Sequence, residues 1–314
     1  MNMKTVGIIG GSGFIGSYIT RKFLEEGYEV KVSVTDIHKS EKYQHLFNLK
    51  NSDNLNIRGL KLEDTETLQD FIKDCEIVVH SGTPFQLDVK DPKTELFDPT
   101  INGTNNFLKA ISNASSLEKV VFIASVAAFN TNFPMPAEGK TSTDTISETD
   151  EPFMSEESHP YAQAKFIAQR TVEKFLAANP NLNYEITTVS PVMVMGKALS
   201  NREDSTSTGI QFLFKNKIAP NPGIQMFYDQ DVLMALVDVS DVARAVYKTA
   251  TTLGLHGKNY LLSSESYPVS DVSLMLNHKT PVNKAQVVYE NKLAVQDLHL
   301  KFKPVQETLA AYSK

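Results

Sequence analysis

Short runs rich in Val and Ile alternate with stretches whose apolar residues recur three or four apart, and this pattern fills the first 190 residues. Strands are predicted at Thr5–Ile9, Val30–Val34, Leu55–Gly59, Ile77–His80, Val120–Ala124 and Glu185–Val189. Helices are predicted between them at Phe14–Glu26, Ser40–Leu49, Thr65–Lys73, Leu96–Ser112 and Tyr161–Ala178. The first helix sets Phe14, Ile15, Tyr18, Ile19 and Phe23 on one face. Strand–helix alternation of this kind predicts an α/β fold, a doubly wound parallel sheet of the Rossmann type. Prolines 134, 136 and 152, with Pro160 at its end, interrupt it across Asn130–His159, which reads as an excursion above the sheet because the alternation resumes afterwards. A helical piece around Gly209–Asn216 follows, then a strand at Val232–Val237 and a helix from Asp238 to Thr251. The larger unit is therefore 1–190, rejoined by 224–254, and residues 191–223 and 255–314 are assigned to a smaller lobe.

Composition narrows the class. Of 314 residues, 31 are Lys or Arg and 37 are Asp or Glu, a formal charge of −6 with no basic run, which argues against nucleic acid or an anionic membrane as partner. No apolar run approaches the roughly 20 residues of a spanning helix. The apolar start is broken by Gly7, Gly10, Gly11 and Gly13, so no secretory leader is expected. The lone Cys75 can form neither an internal disulfide nor a thiolate metal site, which fits a reducing cytoplasm. The seven histidines lack metal-ligand spacing, and His80 at a buried strand end reads as core.

Candidate chemistry begins at Gly10-x-x-Gly13-x-x-Gly16, where the first strand turns into the first helix. Gly10 would allow the tight turn, Gly13 would let a pyrophosphate approach the backbone, and Gly16 would let helix and strand pack closely. Gly10, Ser12, Gly13, Phe14, Ile15 and Gly16 are thus candidate contacts for a dinucleotide held at a helix N-terminus. The end of the second strand, which should meet the adenosine ribose, reads Val34-Thr35-Asp36 with Lys39 and Lys42 beyond, a mixed signal between NAD and NADP.

Tyr161 and Lys165 stand one helical turn apart. A neighbouring ammonium would favour the phenolate and bring the phenol toward the range useful for proton transfer. Tyr18 and Lys22 share that spacing, but Tyr18 belongs to an apolar helix face. Ser125 distinguishes the first pair, because it ends a strand at the carboxyl edge where doubly wound sheets bind ligands.

The chain resembles the extended short-chain dehydrogenases/reductases, within the NAD-dependent epimerase/dehydratase family. The likeness is strongest to the dihydroflavonol-4-reductase and cinnamoyl-CoA reductase branch of ketoreductases. Beyond the glycine turn, Ser125 and Tyr161-x-x-x-Lys165, it is carried by Val79-His80-Ser81-Gly82-Thr83-Pro84, Asp98-Pro99-Thr100-Ile101-x-Gly103-Thr104, Ser190-Pro191-x-x-Val194-x-Gly196 and Val237-Asp238-Val239-Ser240-Asp241-Val242-Ala243, in family order. The resemblance implies NAD(P)H-dependent reduction of an aldehyde or ketone, with Tyr161 as general acid/base, Lys165 on the nicotinamide ribose and Ser125 on the carbonyl. It also implies cofactor contacts at Thr35, Lys42, Leu62, Ser81, Gly82, Thr83, Pro191 and Val194. Two departures bear on the cofactor: Thr35 stands where the branch usually carries an arginine for the 2′-phosphate, and Lys61-Leu62 where Asp-Leu is common. NADP is favoured over NAD through Lys42.

Candidate substrate contacts are Phe85, Asn130, Met193 and Tyr228, with Phe129, Phe133 and Phe212 nearby, although the apolar members could equally be inter-lobe core. Two other readings stand beside carbonyl reduction: a sugar-nucleotide epimerase using the same serine, tyrosine and lysine, and a cofactor-sensing protein without turnover. Dehydration is disfavoured because Val126-Ala127-Ala128 follow Ser125 where dehydratases carry Asp-Glu. The expected partner is a small carbonyl or alcohol, and the resemblance adds a homodimer built through Leu96–Ser112 and Tyr161–Ala178.

Overall fold

The computed structural model describes residues 3–81, 90–202 and 205–312. Its strands are β1 (Thr5–Ile9), β2 (Glu29–Val34), β3 (Leu55–Gly59), β4 (Ile77–His80), β5 (Lys119–Ile123), β6 (Glu185–Pro191), β7 (Met193–Met195), β8 (Leu233–Asp238), β9 (Asn259–Leu262) and β10 (Glu265–Pro268). The main sheet has seven strands in the order β3-β2-β1-β4-β5-β6-β9. Every pairing in it is parallel, with Val6 beside both Val30 and Ile77. The order reverses between β1 and β4, and there the carboxyl ends open a crevice.

Burial on both faces explains the near-continuous apolar strands. The helices are α1 (Phe14–Glu25), α2 (Thr65–Ile72), α3 (Asp98–Ile111), α4 (Pro160–Ala178), α5 (Thr206–Asn216), α6 (Pro222–Asp229), α7 (Val239–Thr251), α8 (Val269–Leu276), α9 (Lys292–Leu298) and α10 (Val305–Tyr312). Ile19 and Phe23 of α1 and Val242 and Val246 of α7 pack with Ile8 and Val32 on one face. Leu68 and Phe71 of α2, Phe107 and Ile111 of α3 and Val172 of α4 pack with Val78 and Val120 on the other. A third cluster unites Ile210 and Phe214 of α5 with Val272, Met275 and Leu309 around a small sheet, β10-β8-β7.

Three details depart from expectation. Residues 40–49 form 3₁₀ turns, Ser40–Lys42 and Gln44–Asn48, and not an α-helix. Their apolar anchors Tyr43, Leu46 and Leu49 recur every three residues, and Tyr43, Leu46 and Leu49 each donate a backbone bond three residues back, the 3₁₀ repeat. Second, β8 pairs in the small sheet although α7 behind it docks on α1. Third, β9 lies in the stretch assigned to the smaller lobe yet supplies the seventh strand of the main sheet, because Tyr260, Leu261 and Leu262 bury fully against β6. The loop over 130–159 is tied down by Phe153 and Phe129 at one point and by Ile146 with Val288 and Glu290 at another.

Candidate active site

The turn after β1 is shaped by what cannot fit beside it. Gly10 has φ +77, and a Cβ there would sit 2.6 Å from Ser81 Oγ. A Cβ on Gly16 would come within 2.1 Å of the Gly10 carbonyl oxygen, so α1 can begin this close to β1 only with glycine. The turn is further fixed by Gly10 N donating to Ser33 Oγ at 3.1 Å and by Ser81 Oγ donating to the Ile9 carbonyl. No side chain caps α1 and its first turn carries no acid, so its leading N–H groups and positive dipole end face the crevice. That glycine cradle and uncapped helix fit a dinucleotide pyrophosphate.

One cavity of about 1230 Å³ runs from this turn along the carboxyl edge of the sheet to α5 and α6. Gly10, Ser12, Gly13, Phe14, Ile15, Gly16, Thr35, Lys42, Leu62, Ser81, Pro191 and Val194 all line it, as do Ser125, Tyr161, Lys165 and Met193. Gly82, Thr83 and Phe85 lie outside the described residues.

Ser125 follows β5 and opens a 3₁₀ turn, Val126–Ala128, its hydroxyl accepting from Ala127 N at 3.3 Å. Across from it, α4 starts at the right residue because Pro160 occupies its first turn and His159 Nδ1 accepts from Tyr161 N at 3.2 Å. Lys165 is buried, with Nζ 5.8 Å from the centre of the Tyr161 ring. Burial brings its ammonium down to about 8. Burial also pushes the Tyr161 phenol up. Desolvation of the phenolate outweighs an ammonium that lies over the ring. Tyr161 is thus held as a protonated phenol while keeping part of its surface at the cavity.

Two substrate candidates fall elsewhere. Asn130 is fully buried, its amide donating to the Met135 carbonyl and to Tyr289 Oη, both at 2.9 Å, while its oxygen accepts from Asn132 N. Every polar atom of that side chain is spent on pinning the 130–159 loop to the C-terminal part of the chain. Tyr228 turns its hydroxyl to the Leu213 and Ile218 carbonyls, and its neighbour Phe227 takes the cavity wall instead. Phe129 belongs to the core and Phe212 is exposed, whereas Phe133 lines the cavity. The far wall adds residues that no motif flags, among them Ile210, Asn221, Ile224 and Arg202.

Other candidate chemistry resolves as packing. His80 sits between the rings of Phe107 and Phe122, and burial, then the Lys165 charge, bring it down to about 4. Cys75 is buried and its thiol is pushed up to about 12. Tyr18 spends its hydroxyl on the Lys197 carbonyl at 2.6 Å. Among the described residues there is no cluster of metal ligands and no helix long and apolar enough to cross a membrane.

Comparison with known proteins agrees with this geometry. The NAD dependent epimerase/dehydratase family matches residues 6–263. A cinnamoyl-CoA reductase from Medicago truncatula is 29% identical, over 98% of this chain and 93% of its own length. An anthocyanidin reductase from Vitis vinifera is 28% identical over 90% of this chain and 82% of its own. Among solved structures, the yeast methylglyoxal/isovaleraldehyde reductase Gre2 complexed with NADPH superposes with a TM-score of 0.78 at 23% identity, covering 98% of this chain and 96% of its own. Vestitone reductase from alfalfa (Medicago sativa) gives 0.73 at 20%, covering 98% and 96%, so the likeness to both structures lies in the fold. The chain belongs to the NAD dependent epimerase/dehydratase family, on the extended short-chain dehydrogenase/reductase branch.

Proposed function

We propose that the protein reduces an uncharged, largely apolar aldehyde or ketone to the alcohol, with NADPH as cofactor. The observation that carries this reading is the meeting, in one cavity, of the dinucleotide cradle with Ser125, Tyr161 and Lys165. Relatives that are cinnamoyl-CoA and anthocyanidin reductases support the direction.

NADPH held at the Gly10–Gly16 turn would supply a hydride for the carbonyl carbon. Ser125 donates a hydrogen bond to the carbonyl oxygen and holds it toward Tyr161. The Tyr161 phenol gives that oxygen its proton as charge develops there, so C=O becomes CH–OH and a phenolate is left on the chain. Lys165, one turn away, stabilises that phenolate once it forms. A phenol that burial keeps protonated suits donation, the reductive sense.

The substrate class is read from the cavity lining. Phe133, Met193, Ile210, Ile224 and Phe227 supply apolar surface to it. The described cations lining the cavity, apart from Lys165, are Lys39, Lys42 and Lys61 beyond β2 and β3, and Arg202 beside the glycine turn. A sugar nucleotide would need a second cationic site for its own diphosphate, so epimerisation is the weaker reading. The purified chain is mixed with NADPH and a panel of aryl and alkyl aldehydes and ketones, and absorbance is followed at about 340 nm. Oxidation of NADPH with at least one carbonyl is expected. Binding of NADPH without turnover of any would favour the cofactor sensor instead.

The homodimer through α3 and α4, and a reducing cytoplasm around the lone buried thiol, belong to the same proposal. Gel filtration with light scattering checks the first, and fluorescent tagging in the host cell the second.

A further inference from the structure

We propose that Arg202, reaching over from the loop after β7, reads the 2′-phosphate of NADPH in place of the arginine that Thr35 lacks. This rests on the NADPH reading above and identifies the residue that sets its selectivity.

Arg202 Nη1 donates to the Ser12 carbonyl at 3.3 Å and to the Lys42 carbonyl at 3.2 Å. Ser12 belongs to the pyrophosphate turn, and Lys42 to the 3₁₀ segment beyond β2. The guanidinium therefore bridges the two walls between which the adenosine ribose of a dinucleotide must lie. The same placement brings its charge close to His45. His45, whose Nε2 is 2.8 Å from Ser17 Oγ near the start of α1, is held below its ordinary range by burial and then by the Arg202 charge.

The charge balance at this end needs such a group. Thr35 is neutral, and Asp36 is a carboxylate where an acid would accept from a free ribose 2′-hydroxyl and so favour NAD. Asp36 lines the same cavity, where it accepts from His38 N at 3.0 Å and lies 3.9 Å from Lys39 Nζ. Lys61 and Glu63, of opposite charge, also line the cavity. A lysine such as Lys42 would meet a phosphate dianion as a flexible point charge, whereas a guanidinium offers a planar fork matched to phosphate oxygens.

Wild type, Arg202→Met and Arg202→Lys are titrated with NADPH and with NADH, following nicotinamide fluorescence, at low and high salt. Wild type is expected to prefer NADPH. Arg202→Met should lose roughly tenfold or more in NADPH affinity but less than about threefold for NADH, with Arg202→Lys between. Its NADPH affinity should also fall less steeply with salt than that of wild type. Unchanged thermal unfolding of the ligand-free variant separates this loss from misfolding. Equal losses for both cofactors would make Arg202 a strut between Ser12 and Lys42, and no loss would make it a bystander; either overturns the proposal. A wild-type chain that binds neither dinucleotide would instead overturn the cofactor reading beneath it.

Discussion

Replacing Lys165 by Met should stabilise the folded chain while destroying its turnover. Lys165 is 6% exposed, and burial lowers its ammonium from 10.5 to about 8. At about 1.36 kcal/mol per tenfold change in proton affinity, carrying that charge into the fold costs up to about 3 kcal/mol at neutral pH. Loss of the ammonium against the Tyr161 ring, at 5.8 Å, offsets about 1 kcal/mol of that. Methionine keeps most of the side-chain volume, so a net gain of about 1–2 kcal/mol is expected. The sign with pH follows from the same shift. Below pH about 8 the lysine is charged in both folded and unfolded chains, so wild type bears the full cost. Between about 8 and 10.5 the folded chain sheds the proton first, and wild type recovers stability as pH rises. Urea unfolding of both proteins at pH values from about 7 to 10 tests this. A variant less stable than wild type at pH 7, or an advantage that does not shrink by pH 10, would refute the reasoning.

Tyr161→Phe should keep NADPH affinity within about twofold and lose turnover by roughly 10²–10⁴, as removal of a proton donor does, read by fluorescence titration and steady-state rates. Gly16→Ala places a Cβ against the Gly10 carbonyl and should cost about 1–3 kcal/mol in thermal unfolding, with weaker binding of either dinucleotide. Asn130→Ala strips partners from Met135 and from the buried Tyr289 hydroxyl and should cost about 2–3 kcal/mol with KM unchanged. A raised KM with unaltered unfolding would return Asn130 to the substrate.

Legibility along the chain followed the source of each element's stability. Ile77–His80 is readable because burial on both faces demands uninterrupted apolar residues, Val30–Val34 because its valines recur at every second position, and α1 because one face alone is buried. Residues 40–49 misled because apolar spacings of three suit either helix type over so short a span, and only the bonds made decide between them. β9 was missed for a different reason. Asn-Tyr-Leu-Leu is an ordinary apolar run, and nothing local says whether β6 or the small sheet will pair with it.

The site divides along the same line. Its near wall is built from residues whose local chemistry is unusual: glycines that admit no Cβ, a helix start left uncapped, a serine just beyond a strand, a proline that starts α4 one residue before Tyr161. The far wall is built from residues that are ordinary in sequence and become functional only through long-range closure. Arg202 meets Ser12 across 190 positions, and Phe227 rather than Tyr228 faces the cavity because the tyrosine hydroxyl finds two carbonyls at the other side of its helix. Asn130 shows the converse: a polar residue near the catalytic edge whose hydrogen bonds all point inward. On the proposals above, selectivity for cofactor and substrate would be concentrated in the wall that spacing rules do not reach, and the reaction type in the wall that they do.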